Sequence, residues 1–410
     1  MALPLLRRCG AALVGRPLLL ALGTCVGLFL AEGILALLGP PSNAGHPFLR
    51  CDPLLGWRGI PHHSYEVKLE WSHHVVVRNS RGMHGGEHAL EKTPGVFRTM
   101  FLGDSFVAAL QVPEQETHHQ LVEDRLNARA GRTAFEMINA GVGGWSPAQE
   151  YLYFRHEGQQ YAPDAVVLFW YPANDLWDLT AARYNTCGGV NCYSPYFNTC
   201  AGELDPEPWY GAPGSPSTWA PCDQGKRKWL NGLLHELHVR SRIYRRLGAF
   251  RPESVPPLSG IPFETPWTGR PTAVYERAWD LTRAVYRRLI QEARNQGARV
   301  GAVAVPFRGA VHGELQRAAW QAPPSATPLP WDSARRPNET FRDMMAEHGV
   351  PVLDLHGPFV EHLRAGGDSP FYPDSHWNGV GNEIAATELE PWLMEQGLIP
   401  PPPPRAPRQP

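Results

Sequence analysis

The chain has 410 residues, 43% apolar and 10% aromatic, enough to bury a full globular core, so disorder throughout is excluded. Its 38 Lys and Arg against 40 Asp and Glu leave a formal net charge of -2, without the cationic surplus that grips a nucleic-acid backbone, so no nucleic-acid partner is expected. Forty-two prolines and 40 glycines, clustered in the middle and at the C-terminus, predict long loops there.

Arg7, Arg8 and Arg16 precede an apolar run over 17–38, close to the ~20 residues a helix needs to cross a bilayer. No Lys or Arg follows until Arg50, and this asymmetry holds the N-terminus in the cytoplasm and sends the rest outward. Glu32 is costly inside a bilayer, though less so near the far interface. Residues 18–31 also have the length of a signal-peptide core, with Ala31-Glu32-Gly33 as the nearest approach to a cleavage site. An uncleaved signal anchor over 1–40 is preferred to a removed signal peptide, and both export the protein to the periplasmic or extracellular side.

Residues 41–95 alternate around Tyr65, Val67 and Leu69, then run through Val75, Val76 and Val77 to turn residues at Asn79 and Gly82, which predicts a small β lead-in. From Phe97 the pattern changes. Short apolar runs at 97–102, 135–139, 165–171, 299–305 and 351–355 lack polar alternation, as strands do when helices cover both faces of a parallel sheet. Helices are predicted at 117–130, 147–159, 272–296, 338–348 and 379–396. In the third, Val274, Ala278, Leu281, Val285 and Leu289 form one stripe, with Gly297 as its stop. Strand and helix in alternation predict an α/β doubly wound domain over 96–398.

Between 176 and 270 the periodicity fails, apart from a helical stretch over 226–247, so this segment reads as a functional insertion or lid. Cys187, Cys192, Cys200 and Cys222 fall inside it, where an oxidising compartment would staple a coreless loop, and two disulfides among these four are expected, with Cys51 left over. Their spacing does not suit zinc. The tail, 399–410, is proline-rich and expected to be disordered.

Ligands of an open α/β sheet bind at the carboxyl ends of its strands, so the residues following each strand are the candidates for chemistry. The first strand leads into Gly103-Asp104-Ser105-Phe106, a hydroxyl that is a candidate nucleophile where a turn with a helix cap is the plainer alternative. The second ends in Gly141-Val142-Gly143-Gly144, whose backbone N–H groups lie open to a ligand and suit an oxyanion hole. Its glycine spacing is not that of a nucleotide-binding loop. The third leads to Asn174, a neutral amide donor. After the last strand come Asp374 and His376, an imidazole with the orienting carboxylate a serine nucleophile requires.

In order, these four blocks resemble those of the SGNH hydrolases, or GDSL esterases and lipases. The resemblance implies Ser105 as nucleophile, His376 as base and Asp374 as its acid. It implies an oxyanion hole from Ser105, Gly144 and Asn174, with Gly143 as the off-by-one rival of Gly144. It also implies a three-layer α/β/α sandwich on a five-stranded parallel sheet, and a mechanism requiring no metal or organic cofactor. Two features depart from the pattern. The acid stands two residues before the base rather than three, and Asp374-Ser375-His376-Trp377 looks like the alginate O-acetyltransferase-like branch. The glycine that often precedes the Ala-Asn pair is also missing.

Other candidates carry less. Gly144-Trp145-Ser146-Pro147-Ala148 nearly matches a nucleophile elbow but lacks the last glycine. The pairs His62 and His63, His73 and His74, and His118 and His119 read as solvated histidines rather than ligands. Asp175 and Asp178 read as a turn and helix start. Trp170, Tyr171, Trp177, Trp209, Trp219 and Trp267 offer either a sugar platform or packing. The expectation is an exported serine esterase acting on an ester or acylated glycan, with O-acetyl transfer to an extracellular polysaccharide as the alternative and a non-catalytic binding protein as the second. Acyl length, acceptor and oligomeric state are not encoded in any motif.

Overall fold

The computed structural model describes residues 5–37, 46–179, 184–187, 190–200, 203–210, 225–241, 273–315 and 335–403. Cys222, Trp219, Trp267 and residues 404–410 of the tail expected to be disordered lie outside them. In chain order the elements begin with α1 (Leu5–Leu37) and two hairpins, β1 (Leu49–Asp52) with β2 (Gly56–Gly59) and β3 (Ser64–Leu69) with β4 (Ser72–Val77). Then come β5 (Phe97–Gly103), α2 (Ser105–Ala108), α3 (His118–Ala130), β6 (Phe135–Gly141), α4 (Pro147–His156), β7 (Ala165–Trp170) and α5 (Asp175–Asp178). Six short strands follow: β8 (Tyr184–Cys187), β9 (Val190–Tyr193), β10 (Pro195–Tyr196), β11 (Thr199–Cys200), β12 (Glu203–Leu204) and β13 (Trp209–Tyr210). The rest is α6 (Gly225–Arg240), α7 (Ala273–Asn295), β14 (Arg299–Ala304), α8 (Arg308–Leu315), α9 (Arg336–Ala346), β15 (Val352–Asp354), α10 (His356–Arg364) and α11 (Gly379–Glu395).

The main sheet has five parallel strands in the order β15-β14-β7-β5-β6. Successive residues of a strand face opposite sides, and the two cores divide along that alternation. Met100, Leu102, Ile138, Val166, Leu168 and Ala302 pack under α4, α7 and α9. Phe101, Phe135, Met137, Val167, Phe169 and Val303 pack under α3, α10 and α11. This is the expected three-layer α/β/α sandwich. The chain leaves β5 for β6 on one side and then crosses to β7 on the other, so the order reverses at β5, where a crevice opens beyond the strand ends.

Glycines shape that crevice. Gly103 and Gly141 are paired in register at the carboxyl ends of β5 and β6. A Cβ on Gly103 would lie 2.5 Å from Val107 Cγ2, and one on Gly141 would lie 2.4 Å from Ala108 N. Two missing side chains therefore let α2, which begins at Ser105, lie directly on the strand ends.

Two expectations are corrected here. Cys192 pairs with Cys51, the cysteine set aside as left over, with Cα atoms 5.2 Å apart. Joined this way, the bridge ties the β lead-in to the insertion rather than stapling the insertion to itself, because β1 and β9 lie together. His118 and His119 are buried, not solvated: in the first turn of α3, His118 is ringed by Phe101, Phe169 and Trp377, and His119 lies against Phe101.

Candidate active site

The nucleophile candidate is held from beneath. Asp104, buried at the end of β5, accepts the Phe106 N–H on Oδ1 at 2.9 Å and so caps α2. Its Oδ2 accepts Asn174 Nδ2 at 3.0 Å. Burial pushes the Asp104 carboxyl up, while those two hydrogen bonds and the nearby His376 charge act against the rise. Ser105, half-buried, starts α2 with its hydroxyl toward the crevice.

The loop from Phe371 to Trp377 carries the base. Phe371 and Trp377 pair across its neck, and Tyr372 N–H donates to His376 O at 2.8 Å. Arg308, at the start of α8, donates to Pro373 O at 2.8 Å and Tyr372 O at 3.3 Å. The Phe106 ring lies against His376 at 5.4 Å and Trp377 at 5.2 Å between centroids.

His376 Nε2 comes within 2.9 Å of Ser105 Oγ across 271 positions of sequence. On its other side, His376 Nδ1 lies 3.1 Å from Asp374 Oδ2, and the His376 backbone N–H donates to Asp374 Oδ1 at 3.1 Å. The Nδ1 approach is oblique and falls short of a linear hydrogen bond. Partial burial works to raise the Asp374 pKa, but contact with His376 outweighs it and holds the carboxyl below its usual range. The His376 and Asp374 side chains are 27% and 35% exposed, so the base stands at the mouth of the crevice.

Three donors border the serine. Among the described residues, neither the Ser105 N–H nor the Gly144 N–H has a hydrogen-bond partner. Gly143 sits against the serine, since a Cβ there would be 3.9 Å from Ser105 Cβ. Its carbonyl accepts Trp57 Nε1 at 3.0 Å, and because the peptide is trans this turns the Gly144 N–H to the side away from Trp57. Gly144 itself adopts φ 74°, a conformation glycine reaches at little cost. Asn174 Nδ2 carries two hydrogens and gives one to Asp104, leaving the other for a ligand.

The remaining sequence candidates disperse. Ser146 begins α4 as its cap, its N–H bonded to Gln149 Oε1 at 3.0 Å, and Pro147 takes the first helical position. Trp170 and Trp209 are buried packing residues, and Tyr171 lies against Phe106 at 4.4 Å. The aromatic at the crevice rim is instead Trp71, exposed at the β3–β4 turn and 6.3 Å from the Tyr372 ring. Sequence reasoning also missed Asp104 as the support of Asn174, and Glu150 and Asp175, whose buried carboxyls are pushed well up by burial and by the Asp104 charge. Their position in the helical starts after β6 and β7 was the available signal. A separate cavity of about 470 Å³ beside β6, lined by His84, His88, His119, Glu123 and Glu136, shares no lining residue with the serine and its base.

No protein-family model and no curated protein matches the sequence. Among solved structures the chain is similar to an acetyl xylan esterase, AlAXEase, at 15% identity, covering 73% of this chain and 100% of that one with a TM-score of 0.38. It is similar to a lipase/acylhydrolase from Enterococcus faecalis at 15% identity, covering 75% and 98% with a TM-score of 0.38. It is also similar to a putative lipolytic protein of the G-D-S-L family from Desulfitobacterium hafniense DCB-2 at 9% identity, covering 72% and 98% with a TM-score of 0.33.

Proposed function

We propose that the chain is an exported, membrane-anchored serine esterase of the SGNH type, working through Ser105, His376 and Asp374. The observation that carries the reading is the 2.9 Å approach of His376 Nε2 to Ser105 Oγ, bordered by unengaged N–H donors. Ser105 Oγ attacks the ester carbonyl and passes its proton to His376 Nε2. The tetrahedral oxyanion is met by the N–H groups of Ser105 and Gly144 and by the free hydrogen of Asn174 Nδ2. His376 returns the proton to the departing alcohol, leaving an acyl-enzyme on Ser105. Water, deprotonated by His376, then releases the acid. Asp374 stabilises the imidazolium that forms twice in the cycle.

Acyl transfer to a carbohydrate hydroxyl is the second reading, favoured by the exposed Trp71 ring, which lies 6.3 Å from the ring of Tyr372 in the base loop and offers an aromatic face to a sugar. Export is supported by the 19-residue apolar span Pro17–Leu35 and by the Cys51–Cys192 disulfide. A fluorophosphonate probe, expected to label Ser105 and not a Ser105→Ala variant, tests the site. Turnover of p-nitrophenyl acetate with and without an oligosaccharide then separates the readings: acetylation of the acceptor outrunning hydrolysis would replace the esterase with a transferase. Absence of both labelling and turnover would leave only a binding protein.

A further inference from the structure

Helix α6 is built the wrong way round for a helix of a water-soluble body. Its histidines face inward: His235 Nε2 contacts Pro53 O at 3.0 Å and stacks on Tyr210, and His238 Nε2 contacts Asn191 O at 2.7 Å. Its large apolar residues face outward, with Trp229 71%, Leu230 48%, Leu233 41% and Leu237 39% exposed. At roughly 100° per residue these four positions fall within one arc of about 100°. A continuous apolar stripe of this kind marks a surface with a partner.

The position of α6 identifies that partner. Ser241, just past its end, donates its hydroxyl to Glu32 Oε1 of α1. Glu32 lies three residues before Leu35, where the apolar span ends, or about 5 Å of helical rise. The carboxylate, costly within a membrane segment, thus has a hydroxyl partner near the outer end of the span. The first turn of α6 also holds Lys226, Arg227 and Lys228, three cations at the helix end whose dipole disfavours them. Anionic headgroups attract such a cluster. An exposed tryptophan beside leucines, with cations at one end, is the composition of a helix lying in a bilayer interface.

We propose that α6 is a second membrane contact, lying along the outer surface of the bilayer with Trp229, Leu230, Leu233 and Leu237 inserted among the lipids. This rests on the reading of α1 as a membrane span, and the experiment separates the two. The full chain is reconstituted in vesicles of phosphatidylcholine and phosphatidylglycerol containing a lipid with a photoactivatable group high on its acyl chain, and labelled peptides are mapped. Label on peptides from both 17–35 and 225–240 is the expected result. Label on 17–35 alone overturns the proposal and leaves the span standing; label on neither overturns both. Cross-links between copies through 225–240, in place of lipid label, overturn the proposal in favour of a second chain as occupant. A Leu230→Glu, Leu233→Glu variant should lose α6 label several-fold while keeping α1 label and esterase turnover, and undiminished α6 label overturns the assignment of that face.

Discussion

The two halves of the crevice are built to different standards. The serine side is buried and fixed from several directions at once: Gly103 and Gly141 admit α2, Asp104 caps it, and Asn174 is tied to Asp104 beneath. The histidine side is a partly exposed loop held at its neck by a strand bridge and at its tip by Arg308. A buried, multiply bonded element fails abruptly when one member is removed, whereas an exposed loop gives way by degrees. Bonded support is thus concentrated where the oxyanion would be met, and the proposed base stands on the more exposed half.

That contrast can be tested by substitution. Ser105→Ala should abolish probe labelling and lower kcat by roughly 10³-fold or more, with little change in thermal midpoint. Asn174→Ala removes a donor and strips Asp104 of a partner, so it should cost roughly 10²- to 10³-fold in kcat and also lower the thermal midpoint. Asp374→Asn should cost on the order of 10²-fold, short of the ~10⁴-fold of a buried, well-aligned triad acid, because the contact is oblique and the carboxylate partly solvated. Arg308→Ala should reduce kcat only a few-fold and leave stability intact. If Arg308→Ala proved as damaging as Asn174→Ala, in both kcat and midpoint, the two halves would not differ in the way described.

Behind the serine side lie His84 and His118, both buried, whose pKa values burial lowers to about 4. The unfolded chain takes up these protons below about 6.5, and the folded chain refuses them until about 4. Each histidine therefore withdraws stability as the pH falls through that window, by up to about 3 kcal/mol. The raised carboxyls Asp104, Glu150 and Asp175 oppose this, because the folded chain keeps their protons as the pH rises. A comparison of variants isolates the histidine share: His118→Gln should lose less urea resistance than the wild type between pH 7.5 and pH 5, and an equal loss would remove His118 from the account. Cys51→Ser should lower stability by about 2 to 5 kcal/mol, since it frees a link across 141 positions.

The sheet was legible because strands buried on both faces have to be apolar throughout, and the runs at Phe97, Phe135, Ala165 and Arg299 have no other simple explanation. Helices α8 and α10 escaped because Arg308–Leu315 and His356–Arg364 are little more than two turns long and begin within four residues of their strands, leaving little loop to announce them. In the insertion, strands of two to four residues are too short to carry a period. His118 begins a four-residue buried stripe with Val122, Leu126 and Ala130, so its spacing points inward where its polar ring points to solvent. The four strand-end blocks could be found in order, but the bond from Asp104 to Asn174 and the pairing of Cys51 join residues 70 and 141 positions apart, distances over which no local pattern reports.

The hydrogen bond from Trp57 to the Gly143 carbonyl reaches 86 positions along the chain, from the hairpin that follows α1 to the peptide whose other face borders the serine. The segment between α1 and the main sheet is therefore not a detachable spacer. A protein trimmed to begin at residue 96, a natural cut for anyone wanting a soluble enzyme, would keep every residue of the proposed triad and lose the indole that orients the Gly143–Gly144 peptide.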